Sequence, residues 1–132
     1  MTVDKKVERP LSPHLQVYRL PITARTSILH RMAGAFLAIG TILVTVFLSS
    51  AALGEDAYNC VMDCLSSPLG KLALLGWSAA LFYHLTNGIR HMIWDTGAML
   101  DKSTSEKSGY VVILIAAVLT AATWYCAMYY VG

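Results

Sequence analysis

Long runs without a charge alternate with short polar segments along this chain. Residues 32–54, 72–89 and 108–132 contain no Lys, Arg, Asp or Glu. A helix crosses a ~30 Å hydrocarbon layer with roughly 20 apolar residues at about 1.5 Å per residue, and each run is close to that length. The pattern predicts an all-α membrane protein with three transmembrane helices, at about 27–52, 68–95 and 108–131. Thr26 or Ser27 offers a cap to the first helix, and Gly54 with the acids after it ends that helix. Ser66, Ser67 and Pro68 begin the second, with Pro near a first position whose N–H has no helical partner to lose. A short helical piece fits residues 57–65, and 101–108 reads as a polar loop. In residues 1–26, Pro10, Pro13 and Pro21 interrupt helix. That segment is predicted to lie on the cytoplasmic or matrix membrane face or against a partner, with 27–132 as the membrane domain. Three helices enclose little alone, so the chain is expected to join a larger helical bundle with a membrane partner.

Composition narrows the class. Hydrophobic residues make up 56% of the chain and charged residues 14%, against about 25% charged in soluble domains. This excludes a soluble enzyme, a disulfide scaffold, a disordered tail and a nucleic-acid module. The placement of Lys and Arg says more than the net charge of +2. Lys5, Lys6, Arg9, Arg19, Arg25 and Arg31 precede the first run. Lys71 alone falls in the first connection, and Arg90, Lys102 and Lys107 in the second. The positive-inside rule then puts the N-terminus in the cytoplasm (or matrix) and the C-terminus outside, where Tyr125, Tyr129 and Tyr130 suit an interfacial belt. The first apolar run starts too late and is too long for a secretory signal, and the N-terminus lacks the character of a transit peptide. A bacterial inner (cytoplasmic) membrane with a periplasmic C-terminus is expected, a mitochondrial inner membrane being the second choice.

Among candidate chemical groups, His84 stands out as the only histidine inside an uncharged run. Ionisable groups at that depth are costly and usually face a bundle interior or a cofactor. At 100° per residue, His91 and Asp95 each lie about 20° from His84, on opposite sides, and Gly88 about 40° away. This face presents a deep imidazole, a missing side chain, then two polar groups at the surface. Two readings fit it: a neutral imidazole ligating a metal in a flat cofactor pressed against Gly88, or a histidine hydrogen-bonding across a helix interface. No C-x-x-C-H sequence is present, so any haem is b-type and non-covalent. One histidine fills one axial position; His30, a methionine or another subunit must fill the other.

The start of the first helix, Ser27-Ile28-Leu29-His30-Arg31, is a second candidate. Ser27 and Arg31 share a face, and a hydroxyl beside a guanidinium suits a quinone carbonyl that gains negative charge on reduction. Arg31 and His30 also suit carboxylates such as haem propionates. The alternative is structural, with Ser27 as a cap and Arg31 snorkelling to the interface. Cys60 and Cys64, one helical turn apart, are awkward for a disulfide and too few for a metal site. They read as free thiols, and Cys126 as membrane packing.

Two stretches together resemble a known family. Arg9-Pro10-Leu11, Leu15, Ile22 and Ser27-x-x-His30-Arg31 are similar to the N-terminal signature of the cytochrome b subunit of succinate dehydrogenase (succinate:quinone oxidoreductase, respiratory complex II). His84-x-x-x-Gly88-Ile89-Arg90-His91-x-x-Trp94-Asp95-x-Gly97 resembles its second signature. Ala33 departs from the small hydroxyl residue expected after His-Arg, which removes a hydrogen bond but no expected ligand. The resemblance implies that His84 is an axial ligand of one haem b, the second ligand coming from a histidine of a small membrane-anchor subunit. It implies His30, Arg31 and His91 near the haem propionates, and Ser27, Arg31 and Ile28 in a quinone pocket completed by the iron–sulfur and small anchor subunits. Asp95 would lie on a proton path. Succinate would be oxidised on a flavoprotein subunit, with electrons reaching ubiquinone through the iron–sulfur subunit; this chain would perform no succinate chemistry. A fumarate reductase anchor working in reverse and a haem-free helical scaffold are the alternatives.

Overall fold

A computed structural model describes residues 18–131. Four helices follow in order: α1 (Ile22–Leu53), α2 (Glu55–Ser66), α3 (Pro68–Asp95) and α4 (Lys102–Val131). Most of the 1–26 surface segment, with Arg9-Pro10-Leu11 and Leu15, lies outside the described residues. Its last residues do not stay extended, since α1 begins at Ile22 rather than at 27. Pro21 adopts φ −62° and ψ 159°, and its carbonyl accepts from the N–H groups of Ala24 and Arg25, both at 3.1 Å. Proline's fixed φ suits this junction, and no breaker follows it. Thr26 and Ser27 therefore stand inside the helix. The Thr26 hydroxyl donates back to the Thr23 carbonyl (3.0 Å) instead of capping.

Gly54 separates α1 from α2 with φ +116°, a conformation that side-chain-bearing residues rarely adopt. Glu55 and Asp56 occupy the first turn of α2, where carboxylates complement the helix dipole. Ser67 caps α3: its hydroxyl oxygen accepts from Gly70 N–H at 3.1 Å. A second difference concerns α4, which starts at Lys102 rather than near 108. Asp101 is the reason. Its Oδ2 accepts from Thr104 N–H (2.9 Å) and its carbonyl from Ser105 N–H (2.9 Å), so the expected polar loop is mostly helix. The turn from α3 is 96–101, where Gly97 and Met99 take positive φ.

α3 is the central helix. It packs along α4 on one side and α1 on the other, while α2 folds over the far ends of α1 and α3. The distribution of polarity is inverted relative to a water-soluble protein. Among the described residues the buried apolar side chains are Val112 and Ala116. The buried polar ones are Thr26, Ser50, Asn87, Arg90, Ser105, Ser108 and Thr120. Large apolar side chains such as Ile39, Ile42, Leu72, Leu114 and Met128 point outward. α1 and α4 are long and apolar enough to cross a membrane. α3, at 28 residues, has comparable length but carries Lys71, His84, Asn87, Arg90, His91 and Asp95 and falls short of that apolarity.

Candidate functional site

Near the start of α1 and the end of α3, three histidines come together. The His30 and His84 rings stack with centroids 4.0 Å apart and planes 7° from parallel. His91 lies against His30 at 5.2 Å, tilted by 45°. His84 Nδ1 is 3.1 Å from the His30 carbonyl oxygen. A carbonyl only accepts, so Nδ1 carries a proton, and in this tautomer the lone pair is on Nε2.

α1 reaches this close to α3 because residue 34 has no side chain. A Cβ built on Gly34 would stand 2.9 Å from His84 Cε1, tighter than real Cβ contacts, so the glycine admits the ring. Gly88 has a different neighbour. Its open side faces the His30 ring, whose Cε1 lies 3.8 Å from a Cβ placed there. The surface against His84 belongs to Gly34 on the neighbouring helix, because helices approach closely where small residues face a side chain. His30 Nδ1 and Trp94 Nε1 are buried without hydrogen-bond partners among the described residues.

The other predicted residues lie around this cluster. Ser27 is half-buried, Ile28 and Arg31 are exposed on α1, and Asp95 is exposed at the last residue of α3. Ser27 and Arg31 are thus on one accessible stretch of the helix that supplies His30, while Asp95 stands apart from the stacked rings.

Beside the histidines sits a polar knot built on Arg90, which is only 3% exposed. Its Nε donates to Ser108 Oγ (2.8 Å), Nη1 to Thr26 Oγ1 (3.0 Å) and Asn87 Oδ1 (3.1 Å), and Nη2 to the Ser105 carbonyl (2.8 Å). One guanidinium therefore joins α1, α3 and α4. The Tyr83 hydroxyl adds a bond to the Thr26 carbonyl at 2.8 Å. Arg90 Cζ lies 4.0 Å above the Trp94 ring, a cation–π geometry.

The family of succinate dehydrogenase/fumarate reductase transmembrane subunits matches residues 5–123. The chain belongs to this family. A succinate dehydrogenase cytochrome b556 subunit of Paracoccus denitrificans is 43% identical over 115 residues, covering 87% of this chain and 88% of that one. The cytochrome b556 subunit of Rickettsia felis is 34% identical over 117 residues, 89% of this chain and 91% of its own. A cytochrome b560 subunit from Marchantia polymorpha is 35% identical over 123 residues, with 86% and 87% covered. The matched region takes in the histidine cluster and the Arg90 knot. The family is one of membrane proteins, in agreement with the apolar α1 and α4.

Sequence reasoning missed the knot because it counted Arg90 among the charges of the second connection. The signal was present: Asn87, Arg90 and Trp94 repeat at helical spacing, on a face next to that of His84 and His91. The Ser105 carbonyl was hidden by starting α4 too late. The role of Gly34 escapes any single-helix argument, which cannot show which ring a glycine on another helix must admit.

Proposed function

We propose that the chain is the haem b- and quinone-binding anchor of a succinate dehydrogenase, passing electrons from an iron–sulfur subunit to ubiquinone. The observation that carries the haem reading is the orientation of His84. Its Nδ1–H is held by the His30 carbonyl, the arrangement that fixes the tautomer of a metal-ligating histidine and leaves Nε2 for the metal. Gly34 gives that ring its place at the meeting of α1 and α3. The buried Nδ1 of His30 suits a propionate carboxylate, which only accepts hydrogen bonds, and Arg31 and His91 supply further donor character there. These residues fit a haem b shared with a second membrane subunit, because α1, α3 and α4 offer one ring suited to be an axial ligand. Bound there, the haem supplies a one-electron carrier beside the quinone site.

The quinone role falls to the accessible stretch of α1. The Ser27 hydroxyl donates to a quinone carbonyl, Ile28 packs against the ring, and the Arg31 guanidinium offsets the negative charge that the carbonyl oxygen gains on reduction. Asp95, exposed where α3 leaves the bundle, is placed to pass protons toward that oxygen through water. The relatives named as cytochrome b556 and b560 subunits of succinate dehydrogenase favour succinate oxidation over fumarate reduction as the working direction. They imply a flavoprotein and an iron–sulfur subunit as partners, with a small membrane-anchor subunit providing the second axial histidine.

In this reading α3 crosses the membrane as a third span. His84, Asn87, Arg90 and His91 are turned to the other helices, Lys71 and Asp95 stand exposed near its two ends, and outward positions between them, among them Leu72, Leu81, Leu85 and Ile89, are apolar. The Arg19, Arg25 and Arg31 end of α1 lies on the cytoplasmic side of a bacterial inner membrane.

The test is made on the purified complex. His84→Ala is expected to abolish the b-type band of the reduced-minus-oxidised spectrum; an unchanged band refutes the ligand role. Ser27→Ala and Arg31→Ala are expected to lower quinone reduction at least tenfold while succinate oxidation with an artificial acceptor survives. Equal loss of both activities would overturn the quinone assignment.

A further inference from the structure

A continuous stack of planar groups runs from the polar knot to His84. The Arg90 guanidinium lies over Trp94 at 4.0 Å, and Trp94 meets His91 edge-on at 5.0 Å and 87°. His91 leans on His30 at 5.2 Å, and His30 stacks on His84 at 4.0 Å. The Trp94–His91 and His91–His30 separations fall in the range of attractive aromatic pairs, the Arg90–Trp94 contact is within cation–π reach, and the two nearly parallel imidazoles are closer still. One end of the stack is immobilised, since Arg90 is held by hydrogen bonds to three helices. The other end is the imidazole whose Nδ1 is held by the His30 carbonyl.

We propose that Arg90 is a positioning residue: anchored by α1 and α4, it fixes Trp94, and through Trp94, His91 and His30 it sets the plane of the His84 ring. The proposal rests on the haem reading of His84. The residue type matters. A guanidinium offers five N–H donors in a rigid plane, so it can fill the knot and still present a flat face to the indole. Lysine keeps the charge but has three donors on one atom and no face. Arg90 touches neither quinone nor iron in this role, so its effect is carried by geometry.

The g-values of a low-spin ferric haem depend on the angle between its axial ligand planes, which gives a readout distinct from stability or turnover. In the assembled complex, Arg90→Lys is expected to leave haem content unchanged and to shift and broaden the low-field EPR signal. Trp94→Leu cuts the stack while sparing every hydrogen bond of Arg90, and is expected to produce the same shift; it serves even where Arg90→Lys fails to assemble. Trp94→Phe, which restores an aromatic face, should return the signal to wild type. Trp124→Leu, in the far half of the bundle, should leave it unmoved. Wild-type signals from Trp94→Leu, or an equal shift from Trp124→Leu, would overturn the proposal. Failure of the underlying haem reading looks different: His84→Ala would then retain the haem with its signal intact.

Discussion

At the Arg90 end of the bundle α1, α3 and α4 meet through directional bonds, whereas at the far end they meet mainly through shape. The near end buries a cation with Thr26, Asn87, Ser105 and Ser108 around it. At the far end the Nε1 edge of the Trp77 indole meets Gly40, so close that a Cβ there would overlap it. A single side-chain hydrogen bond crosses between helices there, from Trp124 Nε1 to Ser78 Oγ at 3.0 Å. Lipid removes most of the hydrophobic driving force between helices, leaving packing and polar contacts to choose partners. The bundle uses both, and reserves the more exacting one for the end that holds the histidines. Packing fixes which helices touch; the knot also fixes their register and rotation, as a site built from rings on two helices requires.

Breaking the knot should have the largest effect. Arg90→Leu removes three cross-helix hydrogen bonds and the one to Asn87, and at about 0.6 kcal/mol per cross-helix bond in membranes, with added cost for buried unsatisfied groups, the loss is roughly 2–4 kcal/mol. Thermal dissociation of the purified complex would show it. A variant as stable as wild type would mean that the hydrogen bonds contribute nothing net. Gly40→Val tests the other end: overpacking costs about 1–3 kcal/mol, read by the same assay. Here the spectrum of the haem should stay unchanged while stability falls, and a spectral change without destabilisation would contradict the division between the two ends. Ser78→Ala removes the one far hydrogen bond and should cost only about 0.6 kcal/mol.

The smallest effect concerns the cap of α4, next to the knot. Hydrogen bonds from the Thr104 hydroxyl and the Thr104 N–H hold the Asp101 carboxyl below its ordinary pKa of 3.8. The ionised form is thus favoured by folding, so its contribution is complete above pH 4 or so and fades as the pH falls through the lowered value. Protection of the Thr104 amide against hydrogen exchange, taken relative to its intrinsic rate, should fall at acid pH in the wild type. In Asp101→Asn, which keeps an uncharged acceptor, that acid dependence should disappear; if it persists, another group is responsible.

Much of this architecture is legible in the sequence, though unevenly. The uncharged runs locate α1, α3 and α4, and Ser67-Pro68 marks the start of α3 as observed, because caps and prolines act on their own immediate backbone. The start of α1 was misjudged because Pro21 looks like a breaker from either side, whereas it precedes a helix without interrupting it. His84 and His91 share a face by periodicity alone. That His30 would stack on His84, and that Gly34 would admit the ring, depends on how α1 is rotated against α3, which no single-helix pattern encodes. Arg90 was hidden by a habit that holds in water but fails here. Near the end of an apolar run a charge usually marks the surface, yet this one is buried because enough hydroxyls, an amide and a carbonyl surround it.

The outward-facing apolar side chains of α1 and α4 carry a consequence for the life of the chain. With so little to fold around internally, a copy that has not met its neighbours presents helix faces with nothing to distinguish a proper partner from any other greasy surface. Its persistence in a cell should therefore follow the supply of those neighbours more closely than any melting temperature. Overproduced alone, it should be cleared by membrane proteases long before it could be called unfolded.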